Sequence, residues 1–426
     1  MLTTDFTGID AIERLVGKIT EDAKGFTAKL RGFHGQGNGN GAASQSSELV
    51  KQGLAIAKTC GQLQALVTEP GHWVKDVARS YFPSVALSIV IELDIANRIE
   101  VGQRGTSLGQ LANASGASRA LIQRVMRQCT HQSIFQEVSP GMYFHNRHSL
   151  LLRDKNLSSW YHYLSEDVLR CATYLPETLR ENNYRIGADD SKAAFCKAFQ
   201  TELPHYEYFY KVDPKRGERF TRAMTSTHSG PLGALIETAY PFWELPAGST
   251  VVDVGGGSGR LAIRLAKLQP HLYFVIQDHA SVVEAGREAA VEDLRAPELE
   301  GRITWEAHDF FTAQPRKAAP VYMLSRILVD HGDESCVAIV RHVVAAMEAG
   351  TSRLLINDFV DPGKFGEDRH RGFDQQDMLM MCAFNVLSRS QTQWAALMRR
   401  VDEKLVRKRI WRADDGSAIL EFELKK

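Results

Sequence analysis

The sequence lacks the marks of a secreted, zinc-binding or membrane-spanning protein. Its six cysteines include no C-x-x-C pair and no zinc-ligand spacing, so no metal site is expected. No signal peptide is visible, and we therefore expect reduced thiols in a cytoplasmic protein. No apolar run approaches the roughly 20 residues that span a bilayer. The longest, VALSIVIELDIANRI, is interrupted by Glu92 and Asp94, so no membrane partner is expected.

An excess of charge of either sign is also missing. The 51 lysines and arginines balance the 51 aspartates and glutamates. A net charge near zero gives no reason to expect a nucleic-acid partner. The chain has 426 residues and ordinary apolar content, which predicts a globular protein of two or three domains.

The first 48 residues predict a helix followed by a linker. In residues 1–31, apolar side chains from Ile9 to Ile19 recur at helical spacing. Residues 32–48 contain GFHGQGNGNGAASQSS, a tract that cannot bury apolar surface and is predicted to be a mobile linker. The helix could pack on a partner subunit or on its own subunit, and the sequence leaves this open.

Residues 49–210 predict a mostly helical domain with a winged-helix arrangement. Within TSLGQLANASGASRALIQRVMRQCTHQ, Thr106 or Ser107 can cap one short helix and Ser115 or Ser118 the next. IFQEV and MYFHN, joined by Ser-Pro-Gly, predict the wing hairpin. DNA binding is one interpretation, but without a basic cluster a protein–protein role is favoured. Many aromatic residues follow, which form either a core or an aromatic pocket roof.

Residues 211–426 predict an α/β domain. STVVDVGG, YFVIQD, ITWEAHD, PVYMLSRIL and SRLLINDFV are β-rich runs separated by helical stretches. This alternation is typical of a parallel, doubly wound, Rossmann-like sheet. The final stretch, KLVRKRIWRADDGSAILEFEL, predicts a terminal antiparallel hairpin.

The glycine-rich stretch VVDVGGGSGRLAIRLAKL predicts a strand, a turn and a helix. Asp253 ends the strand, and Gly255, Gly257 and Gly259 alternate. This D-x-G-x-G-x-G pattern differs from the dinucleotide fingerprint G-x-G-x-x-G, but it equally allows a ligand to approach the backbone closely. Asp278 follows at the end of the next strand, where a carboxylate can accept both hydroxyls of a ribose.

VVDVGGGSG, QDHASVV and HDFF resemble the S-adenosylmethionine motifs of class I methyltransferases. With the winged-helix half, residues 70–426 resemble the plant and fungal small-molecule O-methyltransferase family. The resemblance implies S-adenosyl-L-methionine as cofactor, a homodimer formed through the N-terminal domain, and a small polyketide or alkaloid-like substrate. The cofactor contacts that it implies are Asp253, Gly255, Gly257, Asp278, Asp309, Phe310, Ser325 and His331.

The stretch LSRILVDHGDES departs from that family at the catalytic base. The family pattern is roughly L-H-D-W-x-D-E, and its histidine falls on Val329 while its tryptophan falls on His331. One flanking acid is kept as Asp358, whereas the second is replaced by Ser388. A slipped loop with His331 as the base is the alternative.

This combination resembles the methyltransferase-like pericyclases of the leporin type, which keep the cofactor site and lack the base. The first hypothesis is dehydration of an alcohol to a quinone methide and a hetero-Diels–Alder or Alder-ene cyclisation, with the cofactor not consumed. The alternatives are an O-methyltransferase acting on a phenol or enol, with His331 or Asp330 as base, and a non-catalytic dimeric scaffold. The candidate catalytic residues are His162, Thr225, His228, Val329, Asp330 and Asp358, and the candidate pocket residues are Met224, Met378 and Met381.

Overall fold

The structure is a computed structural model. It describes residues 8–35, 42–102, 104–186, 192–227, 231–363, 371–413 and 415–426. The chain divides into two compact units, residues 1–82 and 83–426, and each is described by itself. Within the described ranges, no helix combines the length and the apolar character that a membrane span requires.

The first unit is helical. It contains α1 (Ile9–Gly35), α2 (Ala42–Val67) and α3 (Pro70–Ala78), and α1 packs against α2. The predicted linker over residues 32–48 is therefore wrong at both ends, where helix is formed. At the second end the reason is local, because AASQSSELV contains no glycine or proline and its residues tolerate helix. Residues 36–41 lie outside the described part of the chain.

The winged-helix prediction is confirmed. The elements are α4 (Tyr81–Glu92), α5 (Ile95–Arg98), β1 (Thr106–Ser107), α6 (Leu108–Ser115), α7 (Arg119–His131), β2 (Phe135–Ser139) and β3 (Met142–His145). The three strands form an antiparallel sheet in the order β1-β3-β2. Ser107 and Gln110 form a capping box at the start of α6, and the Ser118 side chain accepts the Leu121 N–H at the start of α7, because both helices leave their first N–H groups unpaired.

A helical layer follows, with a core rich in aromatic side chains. It comprises α8 (Lys155–His162), a π-helical turn (Tyr163–Val168), α9 (Leu169–Glu181), α10 (Ala194–Phe199), α11 (His205–Lys211), α12 (Pro214–Thr227) and α13 (Pro231–Ala239). Phe195, Phe209 and Phe220 are buried together with His205. Most of the aromatic residues in this segment therefore build its core.

The C-terminal domain is a seven-stranded sheet in the order β6-β5-β4-β7-β8-β10-β9. The strands are β4 (Thr250–Val254), β5 (Tyr273–Asp278), β6 (Ile303–Ala307), β7 (Val321–Ser325), β8 (Arg353–Phe359), β9 (Leu405–Arg412) and β10 (Ser417–Leu424). β4 to β8 pair in parallel, and β10 runs antiparallel to both β8 and β9. The predicted doubly wound sheet with a terminal antiparallel hairpin is confirmed.

Helices cover both faces of this sheet. They are α14 (Arg260–Leu268), α15 (Ala280–Ala289), α16 (Val291–Leu294), α17 (Asp333–Val344) and α19 (Gln391–Val401), whereas α18 (Arg371–Phe384) packs against α9 and α10 of the helical layer. One buried apolar layer contains α17 and α19 residues, and the other contains α14 residues. The chain order reverses between β4 and β7, and ligands of such sheets bind at this point, beyond the carboxyl ends of the strands.

Candidate functional site

The turn between β4 and α14 has a backbone that opens onto free space. Gly255, Gly257 and Gly259 have φ values of 75°, 57° and 78°, which L side chains rarely adopt. A Cβ on Gly255 would lie 2.4 Å from Ile327 Cδ1, and one on Gly259 would lie 2.5 Å from Ile276 Cδ1. A Cβ on Gly257 would meet no atom within 4 Å among the described residues. Gly257 therefore faces the space that a ligand can fill.

Asp278, at the end of β5, fixes this turn. Its Oδ2 accepts the Gly257 N–H at 2.9 Å, and its Oδ1 accepts the His279 N–H at 2.8 Å. Burial raises the pKa of Asp278, while the two N–H groups act in the opposite direction. A carboxylate oxygen has lone pairs left after one such bond, so Asp278 can also accept ribose hydroxyls.

Asp253 lies beneath the turn instead of lining the ligand space. It is fully buried, and neither carboxylate oxygen has a hydrogen-bond partner within the described ranges. A Cβ on Gly256 would lie 2.7 Å from Asp253 Oδ2, so the carboxylate packs directly under that glycine. Burial raises the pKa of Asp253 to about 7, and the charge of Asp278 contributes.

Aromatic rings line the far side of the candidate cofactor space. The His331 ring centroid is 5.8 Å from that of Phe310 and 5.7 Å from that of Phe311, with both pairs edge-on. Asp309 Oδ1 accepts the Phe311 N–H at 2.9 Å, which orders this loop. Burial lowers the pKa of His331 to about 4, so its ring is neutral at physiological pH. This arrangement supports His331 as a flat ring beside the adenine and disfavours it as a base.

The side chain of Ser325, at the end of β7, forms a hydrogen bond within the sheet. Its buried Oγ accepts a hydrogen bond from Asn357 Nδ2 at 2.9 Å. This bond joins β7 to β8 at the carboxyl edge of the sheet. The Ser325 side chain therefore supports the edge on which the following loop rests.

The base position holds a buried apolar side chain. Val329 lies in the 3-10 turn Leu328–Asp330 and is 8% exposed. It belongs to an apolar cluster with Phe359, Met380 and Phe384, and Tyr206 packs against the same cluster. We call this set the Val329 cluster. Its four apolar side chains are buried, and Val329 itself carries no proton acceptor.

Asp358 holds the backbone of that turn. Its Oδ2 accepts the Val329 N–H at 3.0 Å, and its Oδ1 accepts the Phe359 N–H at 2.9 Å. Burial raises the pKa of Asp358 to about 6, and the nearby Arg326 cation opposes the rise. By accepting the Val329 N–H, Asp358 positions the turn.

Two polar side chains beside the turn, those of Tyr206 and Arg326, are not among the site residues predicted from the sequence. The Tyr206 hydroxyl donates to Asp330 Oδ2. Arg326 follows β7 with a φ of 61°, and its guanidinium lies 4.1 Å from the Phe359 ring centroid. Its Nη1 is buried without an acceptor in the described part of the chain. The positive φ of Arg326, a non-glycine residue at a strand end, points to a functional position, but a backbone angle cannot be read from sequence.

Arg389 ties the whole loop to α19. Its guanidinium donates to the carbonyl oxygens of Leu328 at 3.0 Å and His331 at 2.8 Å, and to Asp333 Oδ1 at 2.9 Å. Ser388, which replaces the family's second acid, donates its N–H to Asp377 Oδ1 at 2.7 Å. A carboxylate is thus present here, but it comes from α18.

His162 belongs to an ion network between α8 and α12. Its Nδ1 lies 3.1 Å from Arg219 Nη1, and its Nε2 lies 3.2 Å from Glu166 Oε2. Asp167 and Arg216 complete the network. Burial lowers the pKa of His162 to about 4. These contacts account for the presence of His162 at this position without a role in catalysis.

The other predicted residues of this region have mixed placements. Thr225 Oγ1 donates to the Thr221 carbonyl oxygen at 3.0 Å, within its own helix. Met224 and Met381 pack against the aromatic core, and Met378 is 50% exposed. His228 lies outside the described residues.

The residues present fit S-adenosylmethionine. Gly257 leaves open space beside the backbone, Asp278 can accept the ribose hydroxyls, and His331 with Phe310 offers flat surfaces to a purine. These three features lie at the carboxyl ends of β4, β5 and β7, where the sheet order reverses.

Two family models match the chain: an O-methyltransferase domain over residues 177–401 and an O-methyltransferase dimerisation domain over residues 76–154. O-methyltransferase xanE of Aspergillus fumigatus is 35% identical over 376 residues, which are 87% of this chain and 86% of that protein. LepI in complex with S-adenosylmethionine, and a pericyclic reaction enzyme, each match with a TM-score of 0.75 and 24% identity, over 88% of this chain and 94% of theirs. OxaC in complex with SAH and oxaline matches with a TM-score of 0.78 and 22% identity, over 96% of this chain and 100% of its own.

Proposed function

Because the chain belongs to the O-methyltransferase family, we propose that it methylates an acidic hydroxyl, a phenol or enol, of a small natural product. The cofactor is S-adenosylmethionine, which supplies an electrophilic methyl group on a sulfonium. The match to the dimerisation domain supports a homodimer. Methyl transfer is favoured over pericyclic cyclisation, because the similar proteins with the higher sequence identity are methyltransferases.

The observation that carries the proposal is Val329 at the base position. A positioned general base typically contributes about 10²–10⁴-fold to rate. Here the nearest alternatives do not replace it, since His331 faces the aromatic side of the cofactor space and the fully buried Asp358 holds the Val329 N–H. A hydroxyl that ionises near neutral pH needs little of this help, so the substrate's own acidity replaces the missing histidine.

The chain's residues then have separate tasks. Gly257 and Asp278 hold the cofactor, while His331 and Phe310 flank its adenine. The Val329 cluster receives the apolar face of the substrate and excludes water. Holding the hydroxyl in line with the methyl group lowers the barrier by positioning alone.

The test is mass spectrometry with S-adenosylmethionine and a series of phenols of graded acidity, from 4-nitrophenol to phenol. We expect products heavier by one methylene, with an equal amount of S-adenosylhomocysteine. The rate should rise with the ionised fraction of each phenol. Equal rates for the most and least acidic phenols, or no methylation of any, would contradict the proposal.

A second candidate, dehydration and pericyclic cyclisation with the cofactor unspent, is favoured by Arg326. A buried guanidinium beside the Val329 cluster can stabilise charge on a carbonyl oxygen in the transition state. The likeness to a pericyclic enzyme at 24% identity shows the fold alone. The test is incubation of hydroxylated intermediates of the producing pathway with the cofactor. This candidate predicts a product that is lighter than the substrate by one water, or an isomer of the substrate, and no S-adenosylhomocysteine.

A further inference from the structure

We propose that Tyr206 is a catalytic residue that accepts the substrate's hydroxyl proton and passes its own proton to Asp330. The inference rests on the proposed methyl transfer and names the groups that handle the proton when the substrate binds un-ionised. Tyr206 lies on α11 in the helical layer, and Asp330 lies in the loop after β7, so the pair is assembled only by folding.

The Tyr206–Asp330 pair lies next to Val329, at the predicted base position. Asp330 directly follows Val329 in the 3-10 turn, and Tyr206 packs against the Val329 cluster. The Tyr206 ring is held between Phe384 at 5.8 Å and Phe220 at 5.6 Å. A phenolic oxygen that donates its one proton keeps lone pairs that can accept another. A substrate hydroxyl resting on the Val329 cluster therefore has Tyr206 Oη as a near proton acceptor.

The surrounding charges support the direction of transfer. Arg326 is a cation that interacts with Asp330, and a nearby positive charge favours the carboxylate form of an acid. Tyr163, Tyr210 and His205 also face Tyr206, and the Tyr163 hydroxyl is 3.0 Å from His205 Nε2. Burial, followed by the charge of Asp330, holds the pKa of Tyr206 well above its usual value. Tyr206 thus rests protonated with its proton directed at Asp330.

The proton and electron balance is complete without any further group. The substrate O–H bond breaks and its proton moves to Tyr206 Oη, while the Tyr206 proton moves to Asp330. The electron pair of the O–H bond stays on the substrate oxygen and forms the bond to the methyl carbon, and the S–C bond breaks with its pair left on sulfur. Asp330 is partly exposed, so the proton can leave to solvent.

The first experiment measures binding without turnover. Protein loaded with S-adenosylhomocysteine is titrated with 4-nitrophenol and with its methyl ether, 4-nitroanisole, at a pH where the phenol is neutral. We expect the wild type to prefer the phenol by about tenfold, as one hydrogen bond allows. Tyr206→Phe should reduce that preference to below about twofold.

Tyr208→Phe is the matched control. It makes the same chemical change on the same helix, and its ring packs against Phe195 at 5.6 Å and Phe199 at 5.3 Å. This variant should keep the wild-type preference. Retention of the preference in Tyr206→Phe, equal binding of both ligands by the wild type, or binding of neither would overturn the assignment.

The second experiment separates a proton-transfer role from a structural one. Tyr206→Phe and Asp330→Asn should slow methylation of phenol by about 100-fold and leave that of ionised 4-nitrophenol within about threefold. An equal loss with both substrates would mean that the pair only supports the fold. The binding preference tests this inference and methyl transfer tests the proposed function, so the two can fail separately.

Discussion

Asp253→Asn should stabilise the cofactor-free protein, and only above acidic pH. In the wild type the carboxyl lies wholly inside the protein beneath the glycine turn, and no described group donates a hydrogen bond to it. Burying an ion without a partner is costly. Asparagine has nearly the same shape and cannot ionise. Its buried amide adds a cost that does not depend on pH, so the pH-dependent part of the stability difference reports the ionisation of Asp253.

The structure sets the size of the effect. The pKa of Asp253 rises from 3.8 to about 7 in the folded state, which corresponds to an upper limit of about 4 kcal/mol in the free energy of unfolding. Below the unfolded pKa the carboxyl is protonated in both states, so there is no penalty. As the pH rises the unfolded chain releases the proton first, and wild-type stability falls until the folded pKa is passed. The penalty is complete above about pH 7.

The assay is guanidinium unfolding of the wild type and Asp253→Asn without cofactor, at pH values from 4 to 8.5. We expect the stability of the variant relative to the wild type to rise by up to about 4 kcal/mol between pH 4 and pH 8.5. A constant difference across this range would refute the argument, because it would show that Asp253 ionises as easily in the folded protein as in the unfolded chain.

Three further variants test the site. Asp278→Asn should weaken binding of S-adenosylmethionine by about 10–100-fold in calorimetric titration, since it loses charge-assisted hydrogen bonds; unchanged affinity would remove Asp278 from the cofactor site. His331→Phe should keep cofactor affinity and methyl transfer within about threefold, because a ring with a pKa near 4 is a poor proton acceptor; abolished turnover with retained binding would make His331 the base. Val329→His should lower the free energy of unfolding by about 1–3 kcal/mol through overpacking, without speeding methylation of 4-nitrophenol; a faster rate would show that a base is limiting even there.

The parts of the molecule that depend on local chemistry could be predicted from sequence. Ser107 and Ser118 cap their helices because each precedes an apolar helical pattern and can accept an early N–H. The strands could be located because buried parallel strands are continuous apolar runs. The glycine turn follows from spacing, since only glycine adopts its three left-handed backbone positions without strain.

Side-chain partners distant in sequence could not be predicted. Tyr206 and Asp330 are separated by 124 positions, and no pattern in either segment indicates the other. The sequence predicts His162 as a polar catalytic group, but the structure pairs it with Arg219 and Glu166. The linker prediction failed because composition identifies the glycine tract but does not show where α1 ends and α2 begins.

The predicted base position carries a valine, and Asp358 explains why the turn around it keeps its shape. Its Oδ2 accepts the Val329 N–H, and its Oδ1 accepts the N–H of the next residue, Phe359. These bonds compensate part of the cost of burying the carboxylate and fix the turn whether residue 329 is histidine or valine. Because the turn keeps its shape, the neighbouring Asp330 stays aligned with Tyr206. A valine can therefore replace the base while the cofactor cradle and the polar pair beside it remain intact.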